Sequence, residues 1–286
     1  MLNEDPSEKQ HPLESDAPRH PLEEPARPNR RAHPLEHSEP GAQIPRQQIA
    51  VAFPITRPYA TYALMIINCL IFLAGLMYPD LREAIVDFAI LYRPAVVEGG
   101  EYYRLFTSMF LHADVTHLFF NMYSLYIIGR SIEWIFGWQR FLLIYLLGGL
   151  GGSVLFTLSL GANGSGLGAS GAVFAIWGAD MIFLYRHRKE LGAYAQMQLR
   201  QIVIVALLNL VLGATNPRIG TWAHIGGFVG GLALTWWLGP RLVTRTLPDN
   251  PDSILFAGRR YESALLPVIV YVVVLAVLLL VGINVL

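Results

Sequence analysis

Seven long apolar runs dominate this chain of 286 residues and restrict what it can fold into. A helix that crosses a bilayer needs about 20 mostly apolar residues, and about 17 are enough. Because backbone groups cannot stay unpaired in hydrocarbon, each run is expected to be helical. The runs cover residues 59–78, 113–129, 139–159, 169–185, 201–214, 222–239 and 264–286. Only 15% of the residues are charged, against about 25% in a soluble domain, so an all-α membrane protein is predicted.

The first 55 residues have a different composition from the rest of the chain. Half of the 18 prolines precede residue 46, and the tetrapeptide His-Pro-Leu-Glu occurs three times in this segment. Proline resists helix, and the segment has too few apolar residues to offset the entropy of ordering. A disordered tail is therefore predicted over residues 1–55. Cys69 is the one cysteine, which excludes an intrachain disulfide and a cysteine metal cluster, and no cofactor, metal or nucleic-acid partner is expected.

The apolar runs and the spacing between them predict the order of domains. The tail is followed by a six-span core over residues 56–240, whose first outer connection covers 79–111. An inner linker over 241–263 then leads to a seventh span over 264–286. Lys and Arg favour the inner face of a membrane, and placing the tail inside puts most of them there. The outer segments then carry only Arg82, Arg93, Arg104 and Arg218, so the C-terminus is predicted to lie outside.

Four polar side chains lie inside predicted spans, where such groups are costly and usually face a cavity or a partner. His117 and Asn121 are four residues apart in the second span and so share one helix face. Ser170 is near the start of the fourth span, and His224 is near the start of the sixth. With the tail inside, these three spans all run from outside to inside. The four side chains are therefore predicted to lie at a similar depth below the outer surface.

Acyl transfer is the chemistry that this set of side chains predicts. Serine is a weak nucleophile until a base takes its proton, and histidine titrates in the right range. Ser170 is therefore the candidate nucleophile and His224 its candidate base. The backbone N–H of Ser170, with Asn121 and His117, could donate hydrogen bonds to the oxyanion of a tetrahedral intermediate. Asp180 is about 15 Å deeper at 1.5 Å per residue, so a dyad without an aspartate is predicted.

Small residues recur at intervals of four in two of these spans and predict close packing between them. The repeating positions are Gly171, Ala175 and Ala179 in the fourth span, and Gly226, Gly230, Gly227 and Gly231 in the sixth. Such packing could bring Ser170 within hydrogen-bond reach of His224. Gly168 and Gly171, which flank the serine closely, are expected to let a substrate backbone approach.

Each of these residues also has a purely structural interpretation. A membrane serine commonly bonds to its own helix backbone, and a lone histidine is often an interhelical hydrogen-bond partner. His117 and Asn121 could likewise join neighbouring helices. The acidic side chains of Glu133 and Asp180 are expected to extend to the inner interface. The joint occurrence of the polar groups at one depth favours the catalytic interpretation.

Several motifs together resemble the rhomboid family of intramembrane serine proteases. Tyr103–Thr107 is similar to the family's first-loop motif, although the family usually has Trp where Tyr103 stands. The other matching positions are His112, His117–Asn121, Gly129, Glu133, Gly137, Gly168–Gly171, Ala223, His224, Gly226 and Gly227. The resemblance covers roughly residues 59–239. It implies a rhomboid-like bundle of six transmembrane helices plus a seventh C-terminal helix.

The resemblance also implies an activity and a set of partners. Ser170 would attack the scissile carbonyl of a single-pass transmembrane protein substrate within the lipid bilayer, near small residues where the helix unwinds easily. His224 would act as base and then acid, Asn121, His117 and the Ser170 amide would stabilise the oxyanion, and Phe174 would pack on His224. A bacterial inner membrane is the expected location, with the N-terminus in the cytoplasm.

Two alternatives come from other functional classes. A non-catalytic relative would bind membrane clients and guide their degradation or trafficking, but its known versions have lost the serine or the histidine. A transporter or channel would be expected to have paired repeats and broken helices near the midplane. Here the polar groups lie near one surface, and the two halves show no repeat.

Overall fold

The computed structural model describes residues 49–50, 57–216, 219–247, 250–260 and 263–285. Most of the predicted tail, 1–48 and 51–55, lies outside the described residues. The helices of the described part are α1 (Tyr59–Met77), α2 (Pro79–Ala89), α3 (Arg93–Val97), α4 (Arg104–Thr107), α5 (Val115–Ser124), α6 (Arg130–Phe136), α7 (Trp138–Ser159), α8 (Ser170–Arg186), α9 (Arg188–Thr215), α10 (Thr221–Leu238) and α11 (Leu265–Val285). A 3₁₀ turn covers Ser108–Phe110, and a π-helical stretch, Leu125–Gly129, joins α5 to α6.

All seven predicted apolar runs are helical, with two differences in extent. The second run continues through the π-helical stretch into α6, seven residues beyond its predicted end at 129. The fifth begins at Arg188 instead of 201, and Gly192, at φ +54°, kinks the helix near that start. Among the described residues, four helices are long and apolar enough to cross a membrane, namely α1, α7, α9 and α11. The number of membrane crossings therefore stays a prediction.

Short strands and helices fill the segments between the long helices. The first outer connection holds α2, α3 and α4, and its strand β2 (Leu91–Tyr92) pairs antiparallel with β3 (Ser165–Gly166), just before α8. The predicted linker forms a hairpin of β4 (Arg241–Leu247) and β5 (Asn250–Arg260). A two-residue strand, β1 (Ile49–Ala50), pairs in parallel with β5. Because β2 pairs with β3, the first connection is tied to the loop that leads into Ser170.

Helices α7, α8 and α10 meet through glycine and alanine, with their backbones in close contact, along a surface that we call the glycine seam. A Cβ atom added to Gly227 of α10 would collide with the Gly171 carbonyl of α8, and one added to Gly231 would collide with the Ala175 carbonyl. On the α7 side, a Cβ at Gly152 would lie 2.6 Å from the Ala223 carbonyl oxygen of α10. The seam thus consists of Gly152, Gly171, Ala175, Gly227 and Gly231. The small-residue repeats predicted in the fourth and sixth spans do pack against each other.

Charged side chains hold the ends of two helices. The Glu133 carboxylate accepts hydrogen bonds from the backbone N–H groups of Ala60 and Thr61 (2.9 and 2.7 Å) and so caps the N-terminus of α1. The Arg140 and Arg186 guanidinium groups donate to the Leu238 and Trp236 carbonyls (3.0 and 2.8 Å) in the last turn of α10. The side chains of Glu133 and Asp180 are both buried within the protein, and their position relative to the inner interface stays a prediction.

Candidate active site

Ser170 and His224, 54 residues apart in the chain, are joined by a side-chain hydrogen bond. The distance from His224 Nε2 to Ser170 Oγ is 2.8 Å. Ser170 is the first residue of α8, and His224 lies in the first turn of α10, where its N–H donates to the Gly220 carbonyl. The two residues therefore face each other at the N-terminal ends of helices that pack directly along the glycine seam. This geometry is the one that a serine nucleophile and its base require.

The His224 imidazole is held by packing on one face. The Phe174 ring, one turn after Ser170 on α8, stacks on it with centroids 4.4 Å apart and planes 9° from parallel. His224 Nδ1 is buried and finds no hydrogen-bond partner among the described residues. Among the described residues, Phe174 thus packs against His224, and no carboxylate is hydrogen-bonded to its Nδ1.

The backbone before Ser170 is shaped by a glycine with a left-handed conformation. Gly168 has φ +133°, and its N–H donates to the Ser108 carbonyl (2.9 Å), which anchors this loop to the first outer connection. A Cβ at Gly168 would lie 2.8 Å from His117 Nε2 and 3.8 Å from Ser170 Oγ. Only glycine leaves room here for the His117 ring beside the serine.

His117 and Asn121 lie on one face of α5, as their spacing predicts. The His117 ring is next to Gly168 and packs edge-on against the buried His112 ring, with centroids 5.1 Å apart. The Ala113 N–H makes a long contact to His117 Nδ1 (3.5 Å), which favours the neutral tautomer with its proton on Nε2. The buried Asn121 amide donates one hydrogen bond to the His117 carbonyl (3.1 Å).

Two roles were expected of Gly171, close packing and approach of a substrate backbone, and only the first is seen; the packing roles of other glycines were not predicted. Gly171 was expected to admit a substrate backbone, but it is buried in the glycine seam. A Cβ added to Gly171 would lie 3.2 Å from the Ala223 carbonyl oxygen. The α7 glycines at 148, 149, 151 and 152 line that helix's contacts with its neighbours. Their pattern, Gly-Gly-Leu-Gly-Gly, was a sequence signal for close packing that went unused.

The first outer connection is held by the motif around Arg104. The Arg104 side chain donates to the Asp87 and Ile90 carbonyls (2.7 and 3.0 Å) and pairs with Glu101 (2.6 Å). Hydrogen bonds from the Tyr103 hydroxyl and from Arg104 hold the pKa of Glu101 below its ordinary value. These contacts join the two ends of the connection near the loop that precedes Ser170. Tyr103, where the family usually has tryptophan, stacks on Phe88 (centroids 4.9 Å apart).

Comparison with known proteins identifies the family. The model of the Rhomboid domain matches residues 99–241, which is half of the chain and includes all four predicted site residues. RHOMBOID-like protein 6, mitochondrial, from Arabidopsis thaliana is 40% identical over 139 residues, covering 49% of this chain and 44% of that protein. Rhomboid protease GluP of Bacillus subtilis (strain 168) is 34% identical over 146 residues, covering 51% of this chain and 28% of that protein.

The chain spans less than half the length of these two relatives. The match nevertheless extends from the first outer connection through α10, and the described helices form the all-α bundle expected of an integral membrane protein. Fold, apolar helices and family model agree: the chain belongs to the rhomboid family.

Proposed function

We propose that this protein is an intramembrane serine endopeptidase that works through a Ser170–His224 dyad. The single observation that carries the proposal is the 2.8 Å hydrogen bond between Ser170 Oγ and His224 Nε2. A serine kept only for packing has no need of a base, whereas a nucleophile does. That Rhomboid protease GluP is named as a protease adds support at the level of the family.

The dyad would carry out acyl transfer in two steps. In the first, Ser170 Oγ attacks the scissile carbonyl carbon while His224 Nε2 takes the hydroxyl proton. The tetrahedral intermediate then collapses, the C–N bond breaks, and His224 gives that proton to the leaving amine. In the second step His224 takes a proton from water, the resulting hydroxide attacks the acyl ester, and Ser170 leaves with the proton restored.

Three donors are available for the oxyanion. The Ser170 N–H belongs to the first turn of α8, whose N–H groups have no intrahelical partner and point out of the helix. His117 Nε2 lies beside Gly168, and Asn121 keeps a second amide N–H after donating one to the His117 carbonyl. We assign all three to stabilising charge that develops in the transition state.

The substrates of the proposed protease are membrane proteins cut within or beside a single transmembrane segment. An intact helix hides its carbonyls, so segments with small residues that unwind easily are the expected targets. The relatives come from a plant and from a bacterium, and one has "mitochondrial" in its name. The bacterial inner membrane and the cytoplasmic N-terminus expected from the sequence find no support in those names and stay predictions.

A serine-reactive fluorophosphonate tests the proposal on the full chain purified in detergent. The wild type should be labelled, Ser170→Ala should not, and His224→Ala should be labelled far more slowly because the base is missing. Ser159→Ala is the matched control, since this exposed serine only bonds the Phe156 carbonyl of its own helix. Equal labelling of wild type and Ser170→Ala would refute the assignment and favour the non-catalytic client-binding alternative.

A further inference from the structure

Helix α11, which corresponds to the predicted seventh span, contacts the rest of the bundle in two separate regions. Near its C-terminal end, Leu279 and Ile283 join a cluster that includes Leu91 of the first outer connection. In its N-terminal half, Tyr271 packs against the main core. A cavity of about 560 Å³ lies among α7, α10 and α11, and its lining includes Tyr271 together with Gly151 and Gly230. Tyr271 therefore contacts both α7 and α10 at the wall of this cavity.

The Tyr271 hydroxyl fits a notch made by two glycines on different helices. A Cβ added at Gly151 of α7 or at Gly230 of α10 would collide with Tyr271 Oη. The next atoms that such a Cβ would meet are further away. For Gly151 they are the Gly226 carbonyl oxygen (3.4 Å) and Tyr271 Cζ (3.5 Å), which are ordinary van der Waals distances. The hydroxyl oxygen alone therefore makes glycine necessary at position 151.

The notch is formed by shape and not by hydrogen bonding. Tyr271 Oη is buried and has no hydrogen-bond partner among the described residues. Burying an unpaired hydroxyl costs free energy, and phenylalanine would avoid that cost. What the oxygen does contribute is its volume, which sets how closely α11 approaches the contact between α7 and α10.

The same stretch of α7 supports the turn that carries His224. A Cβ on Gly226, two residues after His224, would lie 2.6 Å from the Gly151 carbonyl oxygen. The Ala223 carbonyl, one residue before His224, lies 2.6 Å from an added Cβ on Gly152. Residues 151 and 152 thus contact α10 at positions before and after the histidine, and the Tyr271 hydroxyl contacts residue 151 next to the Gly226 carbonyl.

We propose that Tyr271 is a positioning residue for the dyad: its hydroxyl docks α11 on Gly151 and Gly230 and so fixes α10 in the register that holds His224 against Ser170. This inference rests on the proposed function of the dyad. It assigns the seventh helix a role in the active site that requires no contact with substrate.

A double-mutant cycle between positions 151 and 271 tests the proposal, with fluorophosphonate labelling rate and thermal melting as readouts. Gly151→Ala should slow labelling of Ser170 about tenfold or more, because a small misplacement of a catalytic group is costly. Tyr271→Phe removes the docking hydroxyl and should slow labelling severalfold, by less than Gly151→Ala, and an unchanged rate in this variant would overturn the proposal. In the double variant the added methyl meets no hydroxyl, so the rate should return to that of Tyr271→Phe. Gly230→Ala, paired in the same way with Tyr271→Phe, serves if Gly151→Ala does not fold.

Two controls separate the notch from general effects of substitution. Gly161→Ala adds a methyl where nothing lies within 4 Å, and Val273→Ala trims an exposed side chain of α11. Neither should change labelling. The proposal would be overturned if Gly151→Ala slowed labelling equally in the wild type and in the Tyr271→Phe variant. It would also be overturned if the two substitutions were coupled in their effect on melting temperature but not in their effect on labelling rate. If the wild type is not labelled at all, the proposed function fails, and coupling in melting temperature alone decides whether Tyr271 docks α11.

Discussion

The glycine seam and the two peripheral helices α9 and α11 are built in different ways. Helix α7 forms one side of the seam, and 56% of its most apolar 18-residue stretch is buried. In the most apolar 18-residue stretches of α9 and α11, only 6% is buried. Backbone meets backbone in the seam, so an added methyl group collides with a carbonyl. The outward faces of α9 and α11 instead carry large exposed aliphatic side chains, as lipid-facing surfaces do.

This difference shows where side-chain volume controls the active site. Ser170 and His224 both lie on seam helices, so their separation depends on how closely the backbones of α8 and α10 approach. Residues that face lipid on α9 have no comparable constraint. Substitutions in the seam should therefore disturb chemistry, and conservative substitutions on the lipid-facing surface should not.

The largest expected effect comes from the dyad itself. Ser170→Ala and His224→Ala should each lower cleavage of a model transmembrane substrate by about 10⁴-fold or more, and the double variant should be no worse than either. The reason is that nucleophile and base act as one unit. Cleavage by a well-folded Ser170→Ala protein, with folding checked by thermal melting, would remove the serine from the mechanism.

A smaller loss of activity is expected from substitutions in α5, which contributes only the oxyanion donors His117 and Asn121. Asn121→Ala should reduce turnover by about 10²-fold to 10³-fold, the usual cost of one oxyanion donor, while Ser170 remains reactive to the fluorophosphonate. His117→Ala should be milder, since the Ser170 N–H and Asn121 remain. Full activity in the double variant would show that the pair serves packing between α5 and its neighbours instead.

A methyl group in the seam tests the comparison between the two regions directly. Gly227→Ala would put a Cβ 2.7 Å from the Gly171 carbonyl carbon, so stability should fall by about 1–3 kcal/mol, and activity should fall with it. Helix propensity opposes this loss, because alanine is intrinsically better than glycine by about 0.5–1 kcal/mol. Leu207→Ala on the exposed surface of α9 is the control and should be nearly neutral in thermal melts. Equal melting shifts for the two variants would contradict the distinction.

Acidification should stop the proposed reaction by protonating His224. The base must be neutral to accept the Ser170 proton, so protonation of one histidine should lower kcat/KM about tenfold per pH unit on the acid side. Initial rates across a pH series, restricted to conditions in which the protein keeps its melting transition, provide the measurement. A flat profile down to the onset of acid unfolding would argue against a histidine base.

The smallest effect concerns the first outer connection. The pKa of Glu101 is lowered in the folded protein by its hydrogen bonds with Tyr103 and Arg104. Its contribution to stability is therefore present above the unfolded pKa of about 4.3 and is lost as the pH falls through the folded value. Glu101→Gln should lower the melting temperature slightly at neutral pH and should have no effect once the wild-type carboxyl is protonated. A difference that persists in acid would mean that packing, and not charge, is responsible.

The sequence alone predicted the helices and proposed four candidate site residues, because both depend on local information. Long apolar runs specify helices in a bilayer, and a serine, two histidines and an asparagine at one depth are costly enough to need a reason. Asp180 lies too far along its helix to reach the dyad, so the sequence predicts no third, acidic member. The repeats around Gly171 and Gly227 also predicted which two helices would pack together.

Only the tertiary structure decided what depends on contacts between distant segments. That Glu133 caps α1, that Gly168 leaves room for the His117 ring and that Gly152 meets the Ala223 carbonyl are set by how whole helices approach one another. The notch for Tyr271 joins three helices and has no signature along the chain. A helical repeat specifies which face of a helix is apolar or small, but the atom that meets that face is chosen by the packing of the entire bundle.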